Sequence, residues 1–246
     1  VIAGANGSHN GPAPPPTALG FPPATLAGNA FSAAATGRGI SQTLGRVASD
    51  GSEIVAVGSQ QGARIARAQF FVSTDNGRTW SMGRVRSPDG APPPPGYAAR
   101  FVAGVRGAWV ALGPSSIWTS PDGRTWTLAS TAGLPLRPGD QISVVKRTAT
   151  GFIAAGAAGA AGSAPLVFLS ANGTTWQRLE PRLPTGAGRA LDIKSAAVYR
   201  NQILIAGDVA LTGNQGNQGQ TSAAWLSGNG GTTWTPVSYT HLTLPT

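Results

Sequence analysis

A short pattern that opens on Ser and closes on Trp recurs four times along the chain. Its copies are Ser73-Thr74-Asp75-Asn76-Gly77-Arg78-Thr79-Trp80, Ser120-Pro121-Asp122-Gly123-Arg124-Thr125-Trp126, Ser170-Ala171-Asn172-Gly173-Thr174-Thr175-Trp176 and Ser227-Gly228-Asn229-Gly230-Gly231-Thr232-Thr233-Trp234. The closing Trp residues stand 46, 50 and 58 positions apart. Two residues before each opening Ser sits an aromatic: Phe71, Trp118, Phe168 and Trp225. Farther upstream each unit has an apolar run ending in glycine, at 54–58, 109–113, 152–156 and 203–207. Before each run lies another strand-like segment, at 43–49, 99–105, 141–147 and 193–199, and a further strand begins at each closing Trp. One such unit cannot bury its apolar face alone, so units with this period must stack on one another. Gly 35 and Pro 20 make up 55 of the 246 residues, and no window sustains a 3.6-residue apolar period. The expected fold is therefore all-β, built from four units of four strands.

Four antiparallel strands at roughly 40–50 residues per unit is the plan of a β-propeller blade. The motif S-x-D-x-G-x-T-W resembles the Asp box, or BNR repeat, of sialidases and related propellers. The first copy matches it in full and the second is one residue shorter. The third and fourth carry Asn172 and Asn229 where Asp is usual. The resemblance spans roughly residues 40–236. It implies four Asp-box blades at about 39–86, 97–130, 140–180 and 190–236, part of a ring of about six to eight blades.

The motif's chemistry is local. Asp or Asn accepts hydrogen bonds from N–H groups just ahead of it, closing a tight turn, and Gly supplies the positive φ. Ser73, Thr79, Ser120, Thr125, Ser170, Thr175, Ser227 and Thr233 satisfy further backbone groups, and each Trp inserts between neighbouring sheets. Asn closes such a turn nearly as well as Asp, so the motif reads as structural rather than catalytic or metal-binding.

In an antiparallel meander, alternate connections emerge on opposite edges. The turns inside the first hairpin of each unit and the motif turns share one face and keep one form. The remaining connections, 59–68, 114–116, 157–164, 208–222, 87–98, 130–140 and 180–190, vary in length and share the other face. Variable loops on a rigid scaffold carry most binding sites. The candidate ligand contacts are therefore Arg64, Arg67, Asp89, Tyr97, Arg137, Asp140, Glu180, Arg182, Arg189 and Asp208.

The formal charge is +9, from 18 basic residues, only Lys146 and Lys194 being lysine, against 9 acidic ones. The arginines are scattered singly, and no basic run, RNP-like or zinc-finger pattern occurs, so nucleic-acid binding is not expected. There is no cysteine, and the histidines are His9 and His241. Disulfides, a thiol nucleophile, a His-based triad and a multi-His metal site are excluded. With no P-loop, dinucleotide fingerprint or nucleophile elbow, no cofactor and no metal is expected.

Likeness to sialidases implies an Arg triad opened by an F/Y-R-I-P motif, a Tyr nucleophile paired with Glu, and an Asp acid/base. The nearest match, Arg64-Ile65-Ala66, lacks the Pro, and Tyr199 has no Glu nearby. Other glycoside hydrolases need two carboxylates about 5–9.5 Å apart. Asp89, Asp140, Glu180 and Asp208 are the available loop carboxylates, and no pair among them is singled out.

The ends differ from the middle. Residues 1–5 fit either the tail of a signal peptide or an arbitrary fragment start, and the Pro/Ala/Gly-rich stretch over 1–38 reads as a leader or linker. No stretch approaches the roughly 20 apolar residues of a membrane span. Residues 237–246 depart from the composition before them. Back-translated as GTC TCT TAT ACA CAT CTG ACG CTG CCG ACG, they resemble a sequencing-library transposase adapter, so the natural protein is expected to continue past Pro236. The expected protein is an exported or cell-envelope binding or assembly module for a glycan, peptide or protein. The alternatives are an Asp-box glycoside hydrolase and a structural repeat domain of a larger protein. No oligomer is implied.

Overall fold

A computed structural model describes residues 25–26, 41–62, 65–105, 107–159, 164–185, 189–211 and 219–237. The leader beyond Thr25 and Leu26, and the tail beyond Val237, lie outside the described residues, as does Arg64. The described residues form an all-β propeller array of four blades, each an antiparallel meander. The first holds β2 (Ser41–Asp50), β3 (Glu53–Gly62), β4 (Ile65–Ser73) and β5 (Thr79–Met82). The second holds β7 (Phe101–Val105), β8 (Ala108–Gly113), β9 (Ser116–Ser120) and β10 (Thr125–Ser130). The third holds β11 (Gln141–Thr148), β12 (Gly151–Ala158), β13 (Ala164–Ser170) and β14 (Gln177–Leu179). The fourth holds β16 (Ser195–Tyr199), β17 (Gln202–Ala210), β18 (Gln220–Ser227) and β19 (Thr235–Pro236). The innermost strands β2, β7, β11 and β16 neighbour one another in turn.

Three sheets carry a strand beyond the expected four. β1 (Thr25–Leu26) runs parallel to β5, and β6 (Arg84–Arg86) runs parallel to β10. β15 (Arg189–Ala190) pairs with the far end of β17. Gly83 explains β6. A Cβ there would stand 3.0 Å from the Arg124 carbonyl oxygen and 3.1 Å from the Phe70 Cβ, so glycine eases a tight crossing from one blade to the outer edge of the next.

The glycine that ends each apolar run has a different role from the strand terminator it resembles. A Cβ on Gly58, Gly113, Gly156 or Gly207 would lie 2.2, 1.8, 2.0 or 2.0 Å from the carbonyl oxygen of Thr43, Ala98, Gln141 or Asp192. The innermost strand presses on the second at this point, and β2 and β11 shift register beside it. Three of the second strands then continue past the glycine. Residues 59–68 are thus mostly hairpin strand, with Arg67 on β4 opposite Gln60. Asp208 lies within β17 opposite Ser222. Neither is the loop residue the sequence suggests, because a close approach needs glycine as much as a turn does.

The four motif turns share one hydrogen-bond plan. In the first, Gly77 N–H donates to Ser73 Oγ at 2.8 Å and Thr79 N–H to Asp75 Oδ1 at 2.9 Å. The Thr79 hydroxyl donates to Asp75 Oδ2 at 2.6 Å. In the fourth, Thr233 N–H still donates to Asn229 Oδ1 at 2.9 Å, while the amide nitrogen donates to the Thr233 hydroxyl at 2.8 Å. The hydroxyl turns to accept, so Asn preserves the turn. Trp80, Trp126 and Trp176 each donate Nε1–H to the motif glycine carbonyl of their own turn.

Blades adhere through apolar layers. Val55, Val57 and Phe70 of the first blade meet Trp109, Ala111, Trp118 and Trp126 of the second. The same layer recurs between the second and third blades around Val110, Phe152 and Trp176, and between the third and fourth around Ile153, Ile203 and Trp225. A buried carboxyl group crosses the first layer, where Trp109 Nε1–H donates to Glu53 Oε1 at 2.7 Å.

Candidate binding face

The face bearing the variable connections holds two adjoining cavities that share Arg100 and Phe101. One, of ≈ 440 Å³, lies between the first two blades and is lined also by Thr43, Arg46, Ser59 and Gln61. The other, of ≈ 540 Å³, lies between the second and third and is lined by Leu112, Pro114, Leu134, Leu136, Asp140 and Ile142. The Arg46 guanidinium carbon sits 5.8 Å from the centre of the Phe101 ring, within cation–π range. The strand crossing places these groups. Gly45 lets the innermost strand come against the Arg100 carbonyl, which is 2.8 Å from where a Cβ would be. That contact sets Arg46 of β2 beside the start of β7.

Asp140 is the carboxylate at the rim of the larger cavity, and it is fully engaged. Its side chain is 1% exposed and pairs with Arg178, whose Nη2 is 3.3 Å from Oδ1. It also accepts the N–H of Arg137 at 2.7 Å and of Gly159 at 3.1 Å. Burial acts to raise its pKa, but the Arg178 hydrogen bond and these N–H groups outweigh burial and hold the carboxyl below the usual range. Glu180 accepts from Arg178 and from Arg137, both at 3.1 Å. The hydrogen bond to Asp140 in turn raises the Arg178 pKa.

A second acidic pair is bridged in the same way. Lys194 Nζ lies 2.8 Å from Asp208 and 3.3 Å from Asp192, contacts that raise the lysine pKa. Asp208 N–H donates to Asp192 Oδ1 at 3.0 Å.

Nine of the ten residues expected at this face lie among the described residues, and they separate into groups. Arg137, Asp140 and Glu180 come together around Arg178. Arg67 and Tyr97 line an outer cavity of ≈ 140 Å³ with Gln60, Met82 and Trp118. Asp208 joins Asp192 and Lys194. Asp89 accepts the N–H of Ala91 in an exposed turn, and Arg182 and the β15 residue Arg189 are exposed elsewhere. Sequence reasoning missed Arg46, Arg100, Phe101 and Arg178. The first three lie in or beside an innermost strand and line a cavity, and the last lies in β14.

A glycosidase acid needs a raised pKa, whereas each acidic pair here is bridged by a cation and Asp140 is shifted downward. Among the described residues, no group of three acidic or His side chains could hold a metal, and no helix is long and apolar enough to cross a membrane. A crevice of ≈ 490 Å³ opens on the opposite face beside Thr150, Asn172 and Gln177. Asn172 is already committed to its own turn through the N–H groups of Thr174 and Thr175.

No family model and no curated protein matches the chain. Among solved structures it is similar to YCF48 bound to D1 peptide, at 15% identity over 79% of this chain and 66% of that one, with a TM-score of 0.41. A glycosyl hydrolase from Bacteroides ovatus is 14% identical over 79% of this chain and 70% of that one, TM-score 0.41. Trypanosoma rangeli sialidase in complex with the inhibitor DANA is 13% identical over 79% and 38%, TM-score 0.45. The chain spans less than two thirds of the YCF48 and sialidase chains. The likeness is one of fold and assigns no residue a role.

Proposed function

We propose that the chain belongs to the Asp-box propellers and serves as an exported binding module, its ligand an acidic segment of peptide or glycan laid across Arg46, Phe101 and Arg100. The observation that carries this reading is the shared wall of the two cavities. Arg100 and Phe101 form that wall, Arg46 adds a second guanidinium on the side of the first cavity, Leu134, Leu136 and Ile142 line the second, and the one acid among the lining residues, Asp140, is paired with Arg178. A carboxylate would meet charge-assisted donors while its apolar neighbours cover Phe101 and the leucines. The +9 charge favours encounter with an acidic partner. The small-x-small segment at Ala3-Gly4-Ala5 and the Pro-rich leader support an extracytoplasmic setting.

The test is titration of a fluorescent acidic peptide and of an oligogalacturonide against the chain and against Arg46→Ala/Arg100→Ala. One of the two probes should bind the unaltered chain. Losing both arginines should weaken binding at least about tenfold, the equivalent of one charge-assisted contact. Equal affinity for both forms, or no binding of either probe, would defeat the reading.

A further inference from the structure

We propose that the crevice between the third and fourth blades, on the face of the motif turns, is a second binding site and takes a short neutral oligosaccharide. Two cavities adjoin there, of ≈ 490 and ≈ 210 Å³, and Thr148, Thr150 and Gly230 line both. Each is open to solvent, and together they have the size of a small-molecule site. They share no lining residue with the cavities around Phe101, so the site stands apart from the reading of that face.

One added residue marks this junction. The second and third motifs run from Ser to Trp in seven residues, the fourth in eight. In the short turns the motif glycine packs on the second strand of the preceding blade. A Cβ on Gly123 would stand 2.9 Å from Val55 Cγ2, and one on Gly173 would stand 3.2 Å from Val110 Cγ2. The fourth turn holds Gly230 at a φ of 73° and Gly231 at 93°. A Cβ on Gly230 would meet nothing within 4 Å, and one on Gly231 would first meet Leu169, at 3.4 Å. Leu169 belongs to the third strand, so the longer turn rests there instead of on Ile153, the counterpart of Val55 and Val110, and leaves the crevice beside it. Trp234 Nε1 is buried there without an acceptor among the described residues, whereas the other three closing Trp residues donate to their motif glycine.

The lining is neutral and rich in hydrogen-bonding groups. Thr148, Thr150, Gln177 and Asn201 carry side chains with no hydrogen-bond partner among the described residues. A hydroxyl and a carboxamide each donate and accept, as the hydroxyls of a sugar do. Phe152, Leu169 and Trp176 supply an apolar wall for the C–H face of a sugar ring. No carboxylate lines either cavity, and the one charged lining residue, Arg200, stands at the smaller. An acidic ligand would find one cation there, and a basic ligand no partner. Strand addition, the usual mode for an extended peptide, needs an open sheet edge. Turns bound this crevice instead, 149–150 between β11 and β12 and 200–201 between β16 and β17.

The test is titration of the chain with maltotriose, xylotriose and chitotriose, followed in ¹H–¹⁵N spectra by the Trp176 indole signal and the side-chain amide signals of Gln177 and Asn201. At least one trisaccharide should move these signals saturably and leave those of the Arg46 and Arg100 side chains in place. Gln177→Ala/Asn201→Ala removes two hydrogen-bonding side chains and should weaken binding about tenfold, read from the Trp176 signal. Deleting Gly230 gives the fourth motif the seven-residue form of the third, and should abolish binding while the melting temperature holds. Signals that no trisaccharide moves, unaltered affinity in the double variant, or a folded deletion variant that still binds overturns the proposal. An acidic peptide that moves the same signals more strongly than any trisaccharide overturns it too.

Discussion

Trp126 lies flat on Phe70 of the preceding blade, the ring centres 4.1 Å apart and the planes 8° from parallel. Trp118 meets the same ring edge-on at 5.6 Å. Phe70 is thus held between a residue of the repeated turn and a residue of the third strand, both from the next blade, and the contact ties motif chemistry to blade adhesion. Truncating Trp126 to Ala should destabilise the chain by about 3–5 kcal/mol. A double-mutant cycle with Phe70→Leu, read by urea denaturation, should recover about 0.5–1.5 kcal/mol of coupling beyond area burial. Strict additivity would show that the stacking geometry contributes nothing of its own.

Gly207→Ala should destabilise by about 1–3 kcal/mol or more, because its Cβ meets the Asp192 carbonyl at 2.0 Å and both groups are backbone. Gly228→Ala is the control. Nothing lies within 4 Å of a Cβ there, and the change should stay within about 0.5 kcal/mol. Paired thermal melts decide the matter, and equal melting points for the two variants would remove the close-approach account of the repeated glycine.

The pair between Asp140 and Arg178 should be costly to break on one side. Arg178→Met leaves a carboxylate that is 1% exposed without its cation, and the expected loss is about 3–5 kcal/mol. Replacing both partners, as Asp140→Leu/Arg178→Met, should recover much of that loss, because two desolvated charges vanish together. Chemical denaturation of the single and double variants measures the difference.

Acid should loosen the first turn before the third and fourth. Thr79, through its hydroxyl and its N–H, together with Ser73, lowers the Asp75 pKa from 3.8 to about 2. The folded value lies below the unfolded one, so the folded chain binds fewer protons between them. This contribution is complete above about pH 4 and is lost as the pH falls towards 2. Asp122 is displaced in the same direction: its burial acts upward but is outweighed by the Thr125 and Arg124 N–H groups. Asn172 and Asn229 do not titrate. Asp75→Asn should therefore flatten part of the acid limb of a melting-temperature profile while leaving the neutral plateau in place. An unchanged acid limb would refute the assignment.

Sequence by itself determined the blade. The Ser-to-Trp pattern, the aromatic two residues before it and the apolar run are local signals, and each encodes a turn or a strand with one buried face through contacts a few residues away. Period and composition sufficed for four units of four strands. What the glycines at 58, 113, 156 and 207 do became apparent only in three dimensions, because their partners are carbonyls about 15 residues upstream, in or just before the innermost strand. The site was hidden for the same reason. Arg46 and Arg100 come from different blades and line one cavity only because two innermost strands lie side by side. Arg178 finds Asp140 across 38 residues of chain. Asp208 was legible as a polar residue, but its partnership with Lys194 depends on strand register. Charges on separate blades have no sequence spacing that relates them, so tertiary packing alone decides which are neutralised and which, like the pair flanking Phe101, face the solvent together.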